Sequence, residues 1–285
     1  VNRIVTEALP YFDEINLTIS NKGVADFVRK VAEPIKQVNV KYRKWNDKFD
    51  DARNANLKMS TTDYWFWLDA DDEFDFSVIP ELVTFAEENG IDQVLLPYHY
   101  AHDDEGNLVA LHWRERLMRR SHPFVWKGWI HETPITDVAF VSQKADAPVY
   151  HRPSENHTEE SLARNHEILL KAVAETDDVR YQMYLGSSYH AIGKYREALE
   201  ILDQATKESG NVEDIYRMLN IMSECAHLLG NNDAAVRFAL EAAGLIPEYP
   251  QAYWLIGQWE ADREAWAEAL QWLQVGDTKP EPTGF

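Results

Sequence analysis

"WFWLDADDEFD", residues 65–75, decides how the first half of the chain is read. Four apolar side chains, three of them aromatic, run into Asp69, Asp71, Asp72, Glu73 and Asp75. An apolar run of this kind fits a central strand buried on both faces. In open α/β sheets ligands gather beyond the carboxyl ends of strands, and the acids stand at such an end. Alternate side chains of an extended segment share a side, which aims Asp69 and Asp71 at one ion. Hard oxygen ligands suit Mg2+ or Mn2+, which offset the charge of a diphosphate. The competing reading is an acidic turn whose carboxylates favour the start of the next helix.

Outward from that stretch, residues 1 to about 150 alternate strand-like and helix-like runs. "EINLTIS" (14–20), "QVNVKYR" (37–43), "YWFWLDA" (64–70) and "QVLLPYHY" (93–100) read as strands. Residues 23–34, 50–60 and 77–89 between them have helical spacing, with Asp50 as an N-cap and Gly90 suited to a helix C-terminus. This order predicts an α/β, Rossmann-like domain around a mostly parallel sheet. The opening "VNRIVTEALP" reads as the last turns of a helix, with Ile4, Val5, Ala8 and Leu9 on one face and Pro10 ending it. A chain that opens inside a helix reads as a trimmed version of something longer.

From about residue 155 the pattern is helical only, with Pro153, Ser154 and "ENHTEES" marking the junction. "YLGSSYHAIGKYREALEILDQA" (184–205) aligns with "IMSECAHLLGNNDAAVRFALEA" (221–242) at an offset of 37. "LIGQWEADREAWAEALQWLQVG" (255–276) follows 34 residues on. Small residues recur at Ala198, Ala235 and Ala269, and at Ala205, Ala242 and Gly276. This helix-turn-helix period resembles the tetratricopeptide repeat, and three copies are about the minimum for a stacked core. Ser223 departs from the pattern where the first copy has Gly186. The predicted division is 1–152 for the α/β domain and 153–285 for a helical linker and three repeats.

Bulk properties narrow the function. A net charge of -20 disfavours nucleic acid and anionic membrane, which both require broad Lys/Arg surfaces. Arg114, Arg116, Arg119 and Arg120 form a local basic spot, to bind phosphate or to pair with the excess acid. A single cysteine, Cys225, allows no internal disulfide and fits a reducing, cytoplasmic setting. No apolar run is long enough to span a membrane, and the N-terminus lacks the pattern of a signal peptide.

Residues 44–75, "KWNDKFDDARNANLKMSTTDYWFWLDADDEFD", resemble the family-2 glycosyltransferases of GT-A fold. The shared elements are Ala52-Arg53-Asn54 opening a helix, a polar turn at Thr61-Thr62-Asp63, and an apolar strand ending in Asp69-Ala70-Asp71. "RERLMRR" (114–120) and "WKGWIHE" (126–132) resemble two further elements of the branch that carries tetratricopeptide repeats. The resemblance implies an inverting transferase with a nucleotide-sugar donor, UDP- or GDP-linked. Asp69 and Asp71 would hold Mn2+ or Mg2+ and the diphosphate, with His131 or His151 as a further metal or phosphate contact. Arg53, Asn54 and Arg116 would lie on the donor side, and Trp126 and Trp129 would form a wall for a sugar ring or belong to the core. Glu132 is the expected general base, with Asp72 its rival.

Two departures accompany the resemblance. The family's first strand is missing, and its acidic base-contacting motif is replaced by Ser20-Asn21-Lys22-Gly23, leaving Asn21 to contact a base. Tetratricopeptide grooves hold peptide segments, so a protein or peptide acceptor is expected, and the repeats also offer a homo-oligomer contact. Competing expectations are an inactive transferase-like binding module and a sugar transferase acting on modified nucleic acid bases.

Overall fold

The computed structural model describes residues 2–103, 105–152 and 157–280. The chain divides into two compact units, the first running to Thr158 and the second starting at Glu159. The junction read from sequence lay between residues 152 and 153.

The first unit comprises α1 (Asn2–Ala8), β1 (Ile15–Ile19), α2 (Lys22–Ala32), β2 (Val38–Tyr42), α3 (Phe49–Leu57), β3 (Tyr64–Phe66) and β4 (Asp72–Glu73). A 3-10 turn, Phe76–Val78, leads into α4 (Ile79–Glu88). Then come β5 (Gln93–His102), β6 (Leu108–Arg119), β7 (Val125–Lys127), β8 (Thr133–Ile135), β9 (Ser142–Lys144) and β10 (Val149–His151). β1 and β2 pair in parallel across α2, a right-handed crossover being the rule for such units. The main sheet has the order β3-β6-β5-β10-β4, with β9 also on β5.

That sheet is mixed. β9 and β10 run parallel to β5, while β3–β6, β5–β6 and β4–β10 are antiparallel. The expectation of a mostly parallel sheet holds for β1–β2 and for the β5 edge only. The departure arises because β6 returns directly from β5 as a long hairpin, which is necessarily antiparallel.

Alternation along "YWFWL" places its side chains in two cores. Trp65 packs with Met118, Phe124 and Trp126, and Trp67 joins them. Tyr64, Phe66 and Leu68 pack on the opposite side against a cluster that includes Ile79, Leu82, Val94, Leu96, Leu117 and Val149. The strand is therefore covered on both faces, but among the described residues it stands at one edge of the sheet, paired with β6 alone, and not at its centre as expected. α1 adds Val5 and Ala8 to the buried set. Asp75 caps the 3-10 turn through Ser77 N–H, 3.0 Å, and Gly90 follows α4 at φ +61°, a backbone suited to glycine.

The second unit contains α5 (His157–Glu175) from Glu159 onward, and three helix pairs. These are α6 (Val179–Ala191) with α7 (Tyr195–Glu208), α8 (Val212–Leu228) with α9 (Asn232–Leu245), and α10 (Gln251–Asp262) with α11 (Trp266–Asp277). They coincide with the three sequence copies. Ala198, Ala205, Ala235, Ala242, Ala269 and Gly276 are all buried, where small residues let helices approach. A Cβ on Gly186 would lie 2.4 Å from Leu202, and one on Gly257 2.7 Å from Leu273. In the middle copy the corresponding pair is Ser223 and Ala239. The shorter alanine leaves room for a hydroxyl, which donates to the Ala235 carbonyl at 2.7 Å and accepts from Trp259 Nε1 at 2.8 Å. The departure at Ser223 is thus a compensated exchange of volume.

Candidate functional site

β3 ends at Phe66, earlier than the expected 70, and the acids follow in a turn. Asp72 N–H donates to the Asp69 carbonyl at 3.1 Å, closing that turn. The backbone is therefore not extended through residues 69–71, and the alternation that would aim Asp69 and Asp71 together does not apply. β4 then pairs with β10 so that Asp72 stands opposite His151, and Arg152 N–H donates to the Asp71 carbonyl at 2.9 Å. Asp71, Asp72 and His151 each offer a ligand atom, and all three lie within 4.8 Å of one another.

Two observations fit this trio to a divalent cation. His151 Nδ1 is buried without a hydrogen-bond partner, which is costly for a polar atom. It lies 3.7 Å from Asp72 and 3.9 Å from Asp71, beyond direct hydrogen bonding but facing both carboxylates. The Asp72 carboxylate, opposed by burial and helped by Asp71, raises the imidazole pKa above its ordinary value. The ring also stacks on Tyr100, 5.1 Å between centroids and 3° between planes.

Asp72 itself is fully buried. It accepts from Tyr98 Oη at 2.8 Å, Arg116 Nη1 at 2.9 Å and Asp69 N–H at 3.1 Å. Burial works to raise its pKa, but His151, the Arg116 charge and the Tyr98 hydroxyl outweigh it and hold the carboxyl below its ordinary value. A carboxylate so enclosed has no access to an acceptor hydroxyl, so Asp72 is not placed as a general base. Arg116, expected on the donor side, is likewise fully buried and locks Asp72 from beneath Trp67, whose ring lies 4.0 Å from the guanidinium.

A second group adjoins the first through Asp69. Arg53 Nη2 donates to Asp69 at 2.9 and 3.2 Å, and Arg53 Nε donates to Glu132. Asp69 is therefore the arginine's partner and lies outside the metal-competent trio. Burial opposes the Arg53 charge, but Asp69 and Glu132 outweigh it and raise its pKa further. The guanidinium lies 4.3 Å from the Trp67 ring and 4.9 Å from Trp126.

The local sequence explains this placement. Asp50, Arg53 and Asn54 share one face of α3 at i, i+3 and i+4. Asn54 exchanges two hydrogen bonds with the Trp126 backbone, at 2.8 and 2.9 Å. Asp50 Oδ2 accepts from Gly128 N–H at 3.0 Å. These two residues staple α3 to the "WKGWIHE" segment and leave Arg53 between them, against Glu132. Lys48, not Asp50, is the N-cap of α3, and no side chain caps it. Asn54 has its amide committed to backbone, so it is not free for a donor. Gly128 at φ +127° and His131 at φ +53° make the tight turn that sends Glu132 inward and His131 outward. His131 is not in the trio.

Trp126 is buried in the core, and Trp129 lies under Lys48 Nζ at 3.6 Å, so the two do not form a shared open wall. Asn21 is the N-cap of α2, accepting from Val24 N–H at 3.0 Å, and no base contact is assigned to it. Arg119 reaches Asp92 at 3.5 Å and the Ala86 and Ile91 carbonyls at 3.4 Å, a structural role. Sequence reasoning missed Trp67, Tyr98 and Tyr100. Trp67 was legible only as a core aromatic, and the β5 tyrosines gain their meaning from the β4–β10 pairing, to which no sequence motif points.

Residues 3–147 match the family described as Glycosyl transferase family 2. The SPbeta prophage-derived glycosyltransferase SunS of Bacillus subtilis (strain 168) is 23% identical over 252 residues. Glycosyltransferase SunS of Bacillus phage SPbeta matches to the same extent. Each alignment covers 84% of this chain, which spans 58% of the length of these relatives. Among solved structures, a crystal structure of MamA aligns with TM-score 0.38 and 19% identity, over 42% of this chain and 70% of that one. PilF of Pseudomonas aeruginosa aligns with TM-score 0.40 and 16% identity, over 45% of this chain and 57% of that one. No helix among the described residues is long and apolar enough to cross a membrane.

Proposed function

We propose, from the premise that this chain belongs to glycosyl transferase family 2, that it moves a sugar from a nucleoside diphosphate donor to an acceptor with a divalent cation. The observation that carries the reading is the convergence of Asp71, Asp72 and the unpartnered His151 nitrogen. Two carboxylates with one imidazole suit Mn2+ better than Mg2+, which favours an all-oxygen shell. A cation bound there supplies Lewis-acid neutralisation of the departing diphosphate.

Arg53 is the donor-facing cation of the chain itself. Its fork geometry matches phosphate oxygens, and Asp69 and Glu132 hold it ready with little conformational freedom left to lose. Glu132 serves as general base once Arg53 turns toward the donor, because the carboxylate then loses its ion-pair partner. This ties base activity to donor occupancy, and an inverting transfer needs such a base on the face opposite the leaving group. Peptide or protein is the proposed acceptor class, supported by the repeat unit.

Diphosphate release from a panel of UDP- and GDP-sugars with MnCl2 tests the reading. Asp71→Ala should lower turnover at least about 100-fold, since several kcal/mol of charge stabilisation is lost. Equal turnover in Asp71→Ala and the parent, or no turnover and no nucleotide-induced thermal shift with any donor, overturns it. The latter result favours the binding-module alternative.

A further inference from the structure

The sheet brings a flat ring, Tyr100, onto the cation seat. β10 runs parallel to β5 with Val149 beside Tyr98 and Tyr150 beside His99. One residue further, the same register sets His151 beside Tyr100, and such neighbours on parallel strands project from one face. Their two rings lie nearly parallel, 3° between planes and 5.1 Å between centroids. Tyr98, two residues earlier on β5, meets the same imidazole at 58° and is tied through its hydroxyl to Asp72.

The plane of an imidazole turns about a soft torsion, and in a metal ligand a hydrogen bond commonly fixes it. No hydrogen bond holds His151 Nδ1, the nitrogen that faces Asp71 and Asp72. A tyrosine ring lying flat against the imidazole restricts the turn instead. Tyr100 is 49% exposed, and its ring meets Tyr98, His112 and His151. Its removal therefore leaves both carboxylates and the Tyr98 and Arg116 contacts to Asp72 in place. We propose that Tyr100 is a positioning residue, whose ring holds His151 in the plane from which Nδ1 reaches a divalent cation shared with Asp71 and Asp72. The ring acts, and its hydroxyl takes no part. This inference rests on the cation seat of the transferase reading.

The test titrates the full chain with Mn2+ alone. Paramagnetic resonance of the free ion gives the affinity, and the spin echo of the bound ion gives its coupling to imidazole nitrogen. Tyr100→Ala should weaken Mn2+ binding about ten-fold and diminish the nitrogen coupling. Tyr100→Phe should restore both, because it keeps the ring. Where His151→Ala is already present, adding Tyr100→Ala should cost nothing more, since the two act as one unit. Far-UV circular dichroism matching the parent checks that each variant is folded. Parental affinity and coupling in Tyr100→Ala would overturn the inference and leave the cation seat standing. So would a Phe variant no better than the Ala variant, or a further ten-fold loss on top of His151→Ala. A parent that binds Mn2+ without nitrogen coupling, or does not bind it, would overturn the seat and the inference together.

Discussion

At the scale of single residues, the site rests on two buried or half-buried ion pairs with different duties. Arg116 and Asp72 are both fully enclosed, and their 2.9 Å contact fixes the carboxylate whose other oxygen meets Tyr98. Removing one partner strands the other charge in the core. Arg116→Met should therefore cost roughly 3–5 kcal/mol in urea unfolding; a cost below about 1 kcal/mol would mean that Asp72 is solvated by other means. Arg53–Glu132 is slightly more accessible, with side chains 19% and 8% exposed, and the proposed function gives it the catalytic duty. Glu132→Gln keeps an oxygen for Arg53 Nε, so donor binding should hold and stability should change by about 1 kcal/mol. Transfer should collapse. Retained turnover would strip Glu132 of the base role, and Asp72 is too enclosed to inherit it.

At the scale of elements, α3 and the repeat helices follow one rule: side chains at helical spacing fix what backbone can come near. Asp50 and Asn54 grip the Gly128 and Trp126 backbone, and Arg53 is positioned between them. In the repeats, Gly186 meets Leu202 while Ser223 accompanies Ala239. Gly186→Ser should destabilise by about 1–3 kcal/mol through overpacking. Adding Leu202→Ala should recover part of that loss, so a double-mutant cycle in thermal melts should give a coupling of about 0.5 kcal/mol or more. Strict additivity would show that the two do not share space. Much of this scale was legible in the sequence, because period and small-residue spacing are local properties. "YWFWL" was legible as a doubly covered strand for the same reason. Asp71 and His151 of the trio were named from the sequence, but their meeting with Asp72 was not legible, because it depends on β4 meeting β10 across nearly eighty residues, and on a turn at 69–72 that replaces extended backbone. The DxD reading found the stretch in which Asp71 and Asp72 adjoin His151, whereas Asp69 turns to Arg53.

At the scale of the whole molecule, a chain of net charge -20 must gather positive charge locally if it is to bind the anionic donor proposed above. It has Arg53, held by two carboxylates, and a trio of donor atoms suited to a divalent cation. The second unit holds three stacked helix pairs. The central claim is that cation and diphosphate share the Asp71–Asp72–His151 seat. Electron spin-echo spectroscopy of Mn2+ bound with UDP or GDP tests it most directly. The account predicts a nitrogen coupling from the His151 imidazole that disappears in His151→Ala. Bound Mn2+ without nitrogen coupling, or a coupling that survives the substitution, would contradict it.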